Sequence, residues 1–490
     1  MCHLRSSRVF GDAAGSARMQ AIVSLLTAAR LSTGIQTVPQ VPNGVNLGGW
    51  LVLEDWFYGK NGSAYNSAFH VSTPRVQGPV GFSQNIDPSS PPFMFTSETD
   101  VLTKLDTPVA SLQMHRNKYF DVATELADIA SHGIRYVRLP ITWCFNWRDT
   151  PLIIHGTSNV TLPPHMGEVL VNDPFLEDAC GVAGNQTCRW LAIPEWRVTD
   201  VLVRAAALGM KVLLDIHAFP GGSSDGTYNG VWPLKPGFWT PQADANFAAI
   251  VGGLIEWTEE LAKRNASAFS GLYGLTPMNE PGLNLPGGTA AHLDTLAIAL
   301  QLFRASSLPR AGKRLLMNMI QISKEAAASW WLSHTTNAER AQWAVIDLHH
   351  YIAWPGVDWC ADGSRSIDEL RKAVDATSDT WQWSARTSLG LTNTSALVAM
   401  SEFSGSTHED TTKSCSPNNL AFGDAAKAMD VVRYFVAKQV QTSAATNVID
   451  FFWKWQLPFN SNFRTEWSLK HILAAGRVGE QTPSLVESSS

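Results

Sequence analysis

The feature that most constrains the fold is a recurrence of short apolar, strand-prone runs that stop abruptly at polar residues. Eight such runs occur: Gly44–Trp50, Ile134–Pro140, Lys211–His217, Leu272–Glu280, Arg314–Ile320, Ala344–Tyr351, Leu397–Phe403 and Val448–Trp455. Most are nearly continuous in apolar residues, which marks parallel strands buried on both faces. Segments of helical periodicity lie between them, at Tyr119–His132, Glu195–Leu208, Asn246–Arg264, Ala291–Ser307 and Asp424–Thr442. Eight strands with crossover helices predict an α/β chain closed into a single (β/α)8 TIM barrel with long βα loops. A doubly wound open sheet is the alternative. It would carry a Gly-rich phosphate turn after an early strand, and NLGGW at 46–50 lacks that spacing.

The barrel is expected over residues 41–475, after a leader at 1–40 and before a polar tail at 476–490. Two long loops interrupt it, Gly59 to about Leu112 and Asp149–Pro194, each following a strand. Loops of that length in a compact domain are usually functional. Composition fits a globular protein, with 45% hydrophobic and 16% charged residues among 490. The net charge is −6 and no basic cluster stands out, so a nucleic-acid partner is not expected. No apolar run reaches the roughly 18–20 residues of a membrane span. A short apolar stretch after Met19 has the form of a secretory segment if the chain starts there. Five sequons (Asn61, Asn159, Asn185, Asn265, Asn393) point the same way, and the expected location is extracellular or cell wall. Of six cysteines, Cys180 and Cys188 bracket a short loop and are expected to pair. Cys360 with Cys415 is a second candidate pair, Cys144 a buried thiol, and Cys2 lies in the leader.

Chemistry-bearing residues gather where the apolar runs stop. The second strand leaves Arg138, the third His217, the fourth Asn279 and Glu280. The sixth leaves His349, His350 and Tyr351, the seventh Glu402, and the eighth Trp453 and Trp455. Residues at strand carboxyl ends share one site in a barrel. Two glutamates there fit glycosidic bond cleavage, in which one carboxyl donates a proton and the other acts ionised as nucleophile or base. Poor solvation at a strand end is expected to keep Glu280 protonated near neutral pH. A metal site built from His349, His350, Asp347 and His217 is the competing reading. It lacks the early His-x-His that such sites usually carry, so no metal and no cofactor are expected.

NGVNLGGWLVLEDW (43–56), GIRYVRLPITW, LLDIHAFPG, PMNEP, DLHHY, SEFS and FFWKW occur in this order. Together they resemble glycoside hydrolase family 5, and within it the eukaryotic exo-β-1,3-glucanases, over about 42–469. The resemblance implies a retaining double displacement, with Glu280 as general acid/base and Glu402 as nucleophile. It implies that Arg138 and Tyr351 support the nucleophile and that His217, Asn279 and His349 line the subsite of the reacting glucose. Trp453 would stack beneath that sugar, and Glu54 would hold hydroxyls at the closed end of the pocket. In the loop GGSSDGTYNGVW (221–232), Tyr228 stands in for an aromatic that the fungal enzymes carry, with Asn229 beside it as a further pocket candidate. SEFS departs from a more usual Gly-Glu pair. Exo action on β-1,3-glucan by a monomer is the leading expectation. Endo action, β-1,6- or β-1,4-glucan, a glycosyl sterol, or a non-catalytic glucan-binding barrel stay open.

Overall fold

The structure is a computed structural model. It describes residues 41–54, 97–104, 107–148, 154–155, 167–181, 184–231, 234–281, 288–320, 322–351, 391, 395–406, 425–457 and 465–476. In chain order the strands are β1 (Gly44–Asn46), β2 (Tyr136–Thr142), β3 (Phe145–Asn146), β4 (Leu170–Asn172), β5 (Arg189–Leu191) and β6 (Ile193–Pro194). They continue as β7 (Lys211–Ala218), β8 (Leu272–Thr276), β9 (Arg314–Asn318), β10 (Ala344–His350), β11 (Val398–Phe403) and β12 (Val448–Phe452). Eight of them close a barrel in the order β1-β12-β11-β10-β9-β8-β7-β2, and its neighbouring strands pair in parallel. Each contains or overlaps one of the eight runs expected from the sequence.

Strand alternation sorts the residues into layers. Outward positions such as Val212, Leu214 and Ile216 join the main core beneath the helices. The alternate positions Leu213, Tyr273, Leu316, Val345, Ala399 and Phe451 pack together as a separate cluster that plugs the barrel interior. Two residues further along the strands, the same inward faces carry Arg138, Asp215, Asn318, Asp347 and Ser401, all fully buried. The lumen therefore changes from oily to ionic within one residue pair, in the direction of the strand carboxyl ends. Glu402 breaks the alternation. The β10–β11 register shifts between Asp347 and His349, so that His349 pairs with Glu402. The irregularity lets consecutive residues Ser401 and Glu402 both make inward contacts, which a regular strand forbids.

Local chemistry fixes the helices. Asp121 caps Val122–Ser131 by accepting from the Thr124 amide at 2.8 Å. Gly133, at φ +87°, ends that helix in the left-handed conformation glycine tolerates. Thr336 and Glu339 form a reciprocal capping box on Asn337–Gln342.

Both long loops hold more structure than the sequence suggests. The first contains helix Glu98–Lys104 and the start of helix Pro108–Lys118. The second contains the antiparallel pair β4–β5 and strand β6, which pairs with β3 just before the loop. Helices Lys324–His334 and Asn337–Gln342, between the fifth and sixth barrel strands, are likewise additions. Cys180 and Cys188 are disulfide-bonded, and Cys144 is a buried free thiol. Cys2, Cys360, Cys415, the sequons at Asn61, Asn159 and Asn393, the leader and nearly all of the tail lie outside the described residues. Among the described residues no helix is long and apolar enough to cross a membrane.

Candidate active site

Arg138 organises the mouth of the barrel. Its Nη1 donates to Glu402 Oε1 at 2.6 Å and to Asn46 Oδ1 at 3.0 Å. Its Nη2 donates to Asn279 Oδ1 at 2.7 Å and sits 3.0 Å from Asp215 Oδ2. A guanidinium offers several donors in a rigid plane and keeps its charge when buried, so one residue from β2 fixes groups from four other strands. Asp215 Oδ2 also accepts from His217 Nδ1 at 2.6 Å, which sets the ring's tautomer and leaves Nε2 facing Asn279 Nδ2 at 3.5 Å. Tyr351 donates to the second oxygen of Glu402 at 2.7 Å. Both oxygens of that carboxylate are thus held by donors from other strands.

Glu280 leaves β8 at a turn where its own φ is +28°, an unusual conformation for a residue with a side chain. The Tyr228 hydroxyl donates to the Glu280 carbonyl at 3.1 Å and helps hold that turn. The Glu280 carboxylate accepts from His349 Nδ1, while the same nitrogen lies 3.5 Å from Glu402 Oε2. One carboxylate oxygen from each glutamate and a ring nitrogen of His349 all lie within 4.8 Å of one another.

Electrostatics corrects one expectation. Burial favours the neutral form of Glu280, yet its carboxyl is held below its usual range, because the His349 ring beside it supplies positive charge and a hydrogen bond. Burial likewise opposes charge on His349, and Glu402 and Glu280 outweigh it, so the ring's pKa is raised. The hydrogen bond and charge of His349 thus work against the protonated Glu280 expected from the sequence. Glu54 behaves as expected of a buried carboxyl, pushed up to about 7 by burial, with Lys454 and His217 pulling the other way. Its Oε1 has no hydrogen-bond partner among the described residues. Burial lowers Lys454 to about 7, with Glu54 acting against that shift.

The glutamate–histidine trio is compact enough to enclose a cation. The donor set argues for an ion-pair network instead. Arg138 already supplies positive charge beside Glu402 at 2.6 Å, and His349 Nδ1 is engaged with the Glu280 carboxylate.

Of the sequence candidates, the structure brings Arg138, His217, Asn279, Glu280, His349, Tyr351 and Glu402 into one hydrogen-bonded cluster. Trp453 stacks on His217, centroids 5.4 Å apart and planes 6° from parallel, against the same cluster. Glu54 is buried, and its charge couples to His217, Glu402 and Glu280. Tyr228 packs edge-on against His217 at 5.7 Å. Asn229 serves its own loop: its Oδ1 accepts from the Val231 amide at 2.8 Å and its Nδ2 donates to the Ser224 carbonyl. Trp455 is fully buried and donates to Glu125 at 2.6 Å, away from the carboxylates. Sequence reading passed over Asn46, Asp215, Asn318, Ser401 and Lys454. Asp215 precedes the recognised His217 by two residues on the same strand, and that spacing of two is the signal that could have exposed it.

Fold and site together define a (β/α)8 barrel with a carboxylate pair at the carboxyl ends of its strands. No family model matches the chain. A stretch of 182 residues is 25% identical to glucan 1,3-beta-glucosidase 1 of Schizosaccharomyces pombe, covering 37% of this chain and 30% of that one. The match therefore spans less than a third of the relative's length. Among solved structures, the chain is similar to AoRut at a TM-score of 0.55, with 14% identity over 89% of this chain and 96% of that one. It is similar to the rutinosidase from Aspergillus niger at 0.53, with 13% identity over 86% and 92%. These two likenesses are likenesses of fold. The resemblance to family 5 glucanases drawn from the strand-end motifs agrees with the match to the glucan 1,3-beta-glucosidase, and the solved structures agree with the barrel fold.

Proposed function

We propose that the chain is a retaining glycoside hydrolase that cleaves β-glucan by double displacement, and in its finer form an exo-β-1,3-glucanase. The observation that carries this reading is the separation of Glu280 and Glu402, with one oxygen of each within 4.8 Å of the other. Retaining enzymes hold their carboxyls about 5–5.5 Å apart, and inverting enzymes leave about 6.5–9.5 Å for a water. In the first step Glu402 attacks the anomeric carbon, and the C–O bond to the leaving sugar breaks as Glu280 delivers a proton to that oxygen. Arg138 and Tyr351 keep Glu402 aimed and ionised until its charge passes into the ester. In the second step Glu280 takes a proton from water, the water oxygen attacks the same carbon, and Glu402 departs.

In the free protein the proton for the first step resides on the Glu280–His349 pair. Its delivery needs only transfer along the existing Nδ1 to Oε1 hydrogen bond. Glu54 supports exo action, because a buried carboxyl beside the cluster, with one oxygen that has no partner among the described residues, suits capture of the hydroxyls of a terminal sugar. The disulfide and the exposed Asn185 beside it support export to an oxidising compartment.

The test is digestion of laminarin, with early products separated by chromatography and the anomer followed by proton NMR. Glucose alone from the first minutes, released as the β-anomer, is the expected outcome. A ladder of oligosaccharides would replace exo with endo action, and initial α-glucose would exclude double displacement.

A further inference from the structure

Behind His349, on the side away from both glutamates, lies a second polar shell that the double displacement does not use. His349 Nε2 is 2.9 Å from Ser401 Oγ. The Ser401 hydroxyl donates to Asp347 Oδ2 at 2.7 Å, and the Ser401 amide donates to Asp347 Oδ1 at 2.9 Å. Asn318 Nδ2 stands 2.7 Å from the same ring nitrogen and 3.3 Å from Asp347 Oδ2. Ser401, Asp347 and Asn318 are fully buried.

These contacts give the ring a partner in either protonation state. A neutral ring, with its proton on Nδ1 toward Glu280, accepts at Nε2 from the Asn318 amide. A charged ring donates from Nε2 to Ser401 Oγ, whose own hydrogen already points to Asp347. Only the second arrangement uses the serine, because an oxygen that donates to Asp347 keeps its lone pairs for the imidazolium. The ring keeps its place between the two states, while the Asn318 amide nitrogen, 2.7 Å from Nε2, must turn away from the charged ring, because two N–H donors cannot share that contact.

We propose that Ser401, backed by Asp347, is a positioning residue that holds the imidazolium of His349 and so sets how far into the alkaline range the Glu280–His349 pair keeps its proton. The catalytic part of this inference rests on the function proposed above. The charged and titratable groups facing the ring are Glu280 from the end of β8, Glu402 from β11, and Asp347 from its own strand. Arg138 and Tyr351 stand behind Glu402, and Tyr228 and His217 behind Glu280. Removing the serine hydroxyl leaves all of these in place and takes away one acceptor that the ring uses only while Nε2 carries a proton, that is, while the Glu280–His349 pair holds its extra proton. The imidazolium is then less favoured, and the pair releases its shared proton at a lower pH.

The test compares wild type, Ser401→Ala, Ser401→Thr and Asp347→Asn in two measurements. One is the pH profile of kcat/KM on laminarin oligosaccharides. The other is nitrogen-15 NMR titration of the His349 ring, assigned with His349→Gln. In Ser401→Ala the alkaline limb and the His349 titration should both move down by about one pH unit, the scale of one hydrogen bond to a charged group. The acid limb should keep its place. Ser401→Thr, which keeps the hydroxyl, should follow wild type, and Asp347→Asn should move in the same direction as Ser401→Ala. A purely structural serine would lower the rate at every pH and leave both titrations where they were, and that result overturns the proposal. If none of the proteins hydrolyses glucan, the functional reading fails, while the NMR titration still decides whether the relay exists.

Discussion

Glu280 has a carboxylate that in isolation would be a poor proton donor at neutral pH, since His349 keeps it ionised. Its role as the acid depends on the proton held one hydrogen bond away, and this dictates how its loss should look. Glu280→Ala removes the delivery group, so rates on laminarin should fall by about 10²–10⁴-fold, the usual worth of general acid catalysis. Aryl glucosides with acidic leaving groups need little protonation, and their glycosylation rate should fall far less. Steady-state and burst kinetics on the two substrates check this. An equal loss on both would remove Glu280 from the acid role. The residue was visible in the sequence because an apolar run ended on it. Its ionisation was not, because the responsible histidine lies 69 positions away and meets it only through barrel closure. Asp215, Asn318 and Ser401 were hidden for a related reason. Each sits inside a run that reads as uniformly apolar, at an inward position that becomes distinct only once the strand's two faces are assigned.

The elements that shape the approach to the site depend on staples as much as on strand propensity. Strands β4 and β5 have three residues each, and such a two-stranded hairpin is marginal on its own. Two devices hold it. Asp173 Oδ2 accepts from the Gly221 amide and from Trp190 Nε1, both at 2.8 Å, which ties the hairpin to the loop after β7. The Cys180–Cys188 bond closes the connection with a sequence separation of 8. A loop that short is worth about 2–3 kcal/mol of chain entropy. Replacing both cysteines by serine should open new protease cleavage sites between residues 173 and 188, mapped by mass spectrometry, while the barrel's unfolding midpoint falls by only a few degrees. An unchanged cleavage pattern would mean that Asp173 suffices alone. The eight barrel strands were legible because burial on both faces writes a long apolar run into each of them. The hairpin and the helices Glu98–Lys104 and Pro108–Lys118 were not, because their stability comes from distant partners. Arg116, for example, reaches Glu168 at 3.2 Å and the Leu191 carbonyl at 3.0 Å.

Across the whole molecule, buried ionisable groups pull stability in opposite directions as pH changes. Glu98 and Asp450, pushed by burial up to about 7 and about 6, hold protons more tightly when folded. Their contribution is full below their unfolded values and is lost as pH rises through the folded ones. His115 and His292 act in the other sense, since burial lowers them to about 3 and about 4. Their contribution is full above about 6.5, the unfolded histidine value, and is lost as pH falls toward the folded one. The wild-type curve sums these opposing slopes, so a single variant isolates one of them. His115, on helix Pro108–Lys118, donates from Nε2 to the Gly49 carbonyl at 2.9 Å and joins that helix to the segment after β1. His115→Gln can keep a donor there and cannot take up a proton. It should cost most stability at pH 7, where the neutral histidine contributes fully. The gap from wild type should then shrink by about 1.4 kcal/mol for each pH unit below 6.5. Chemical denaturation at pH 7, 6, 5 and 4 measures that gap. A gap constant across the series would mean that His115 takes up its proton in the folded barrel as readily as in the unfolded chain, and burial would then not be what governs its charge.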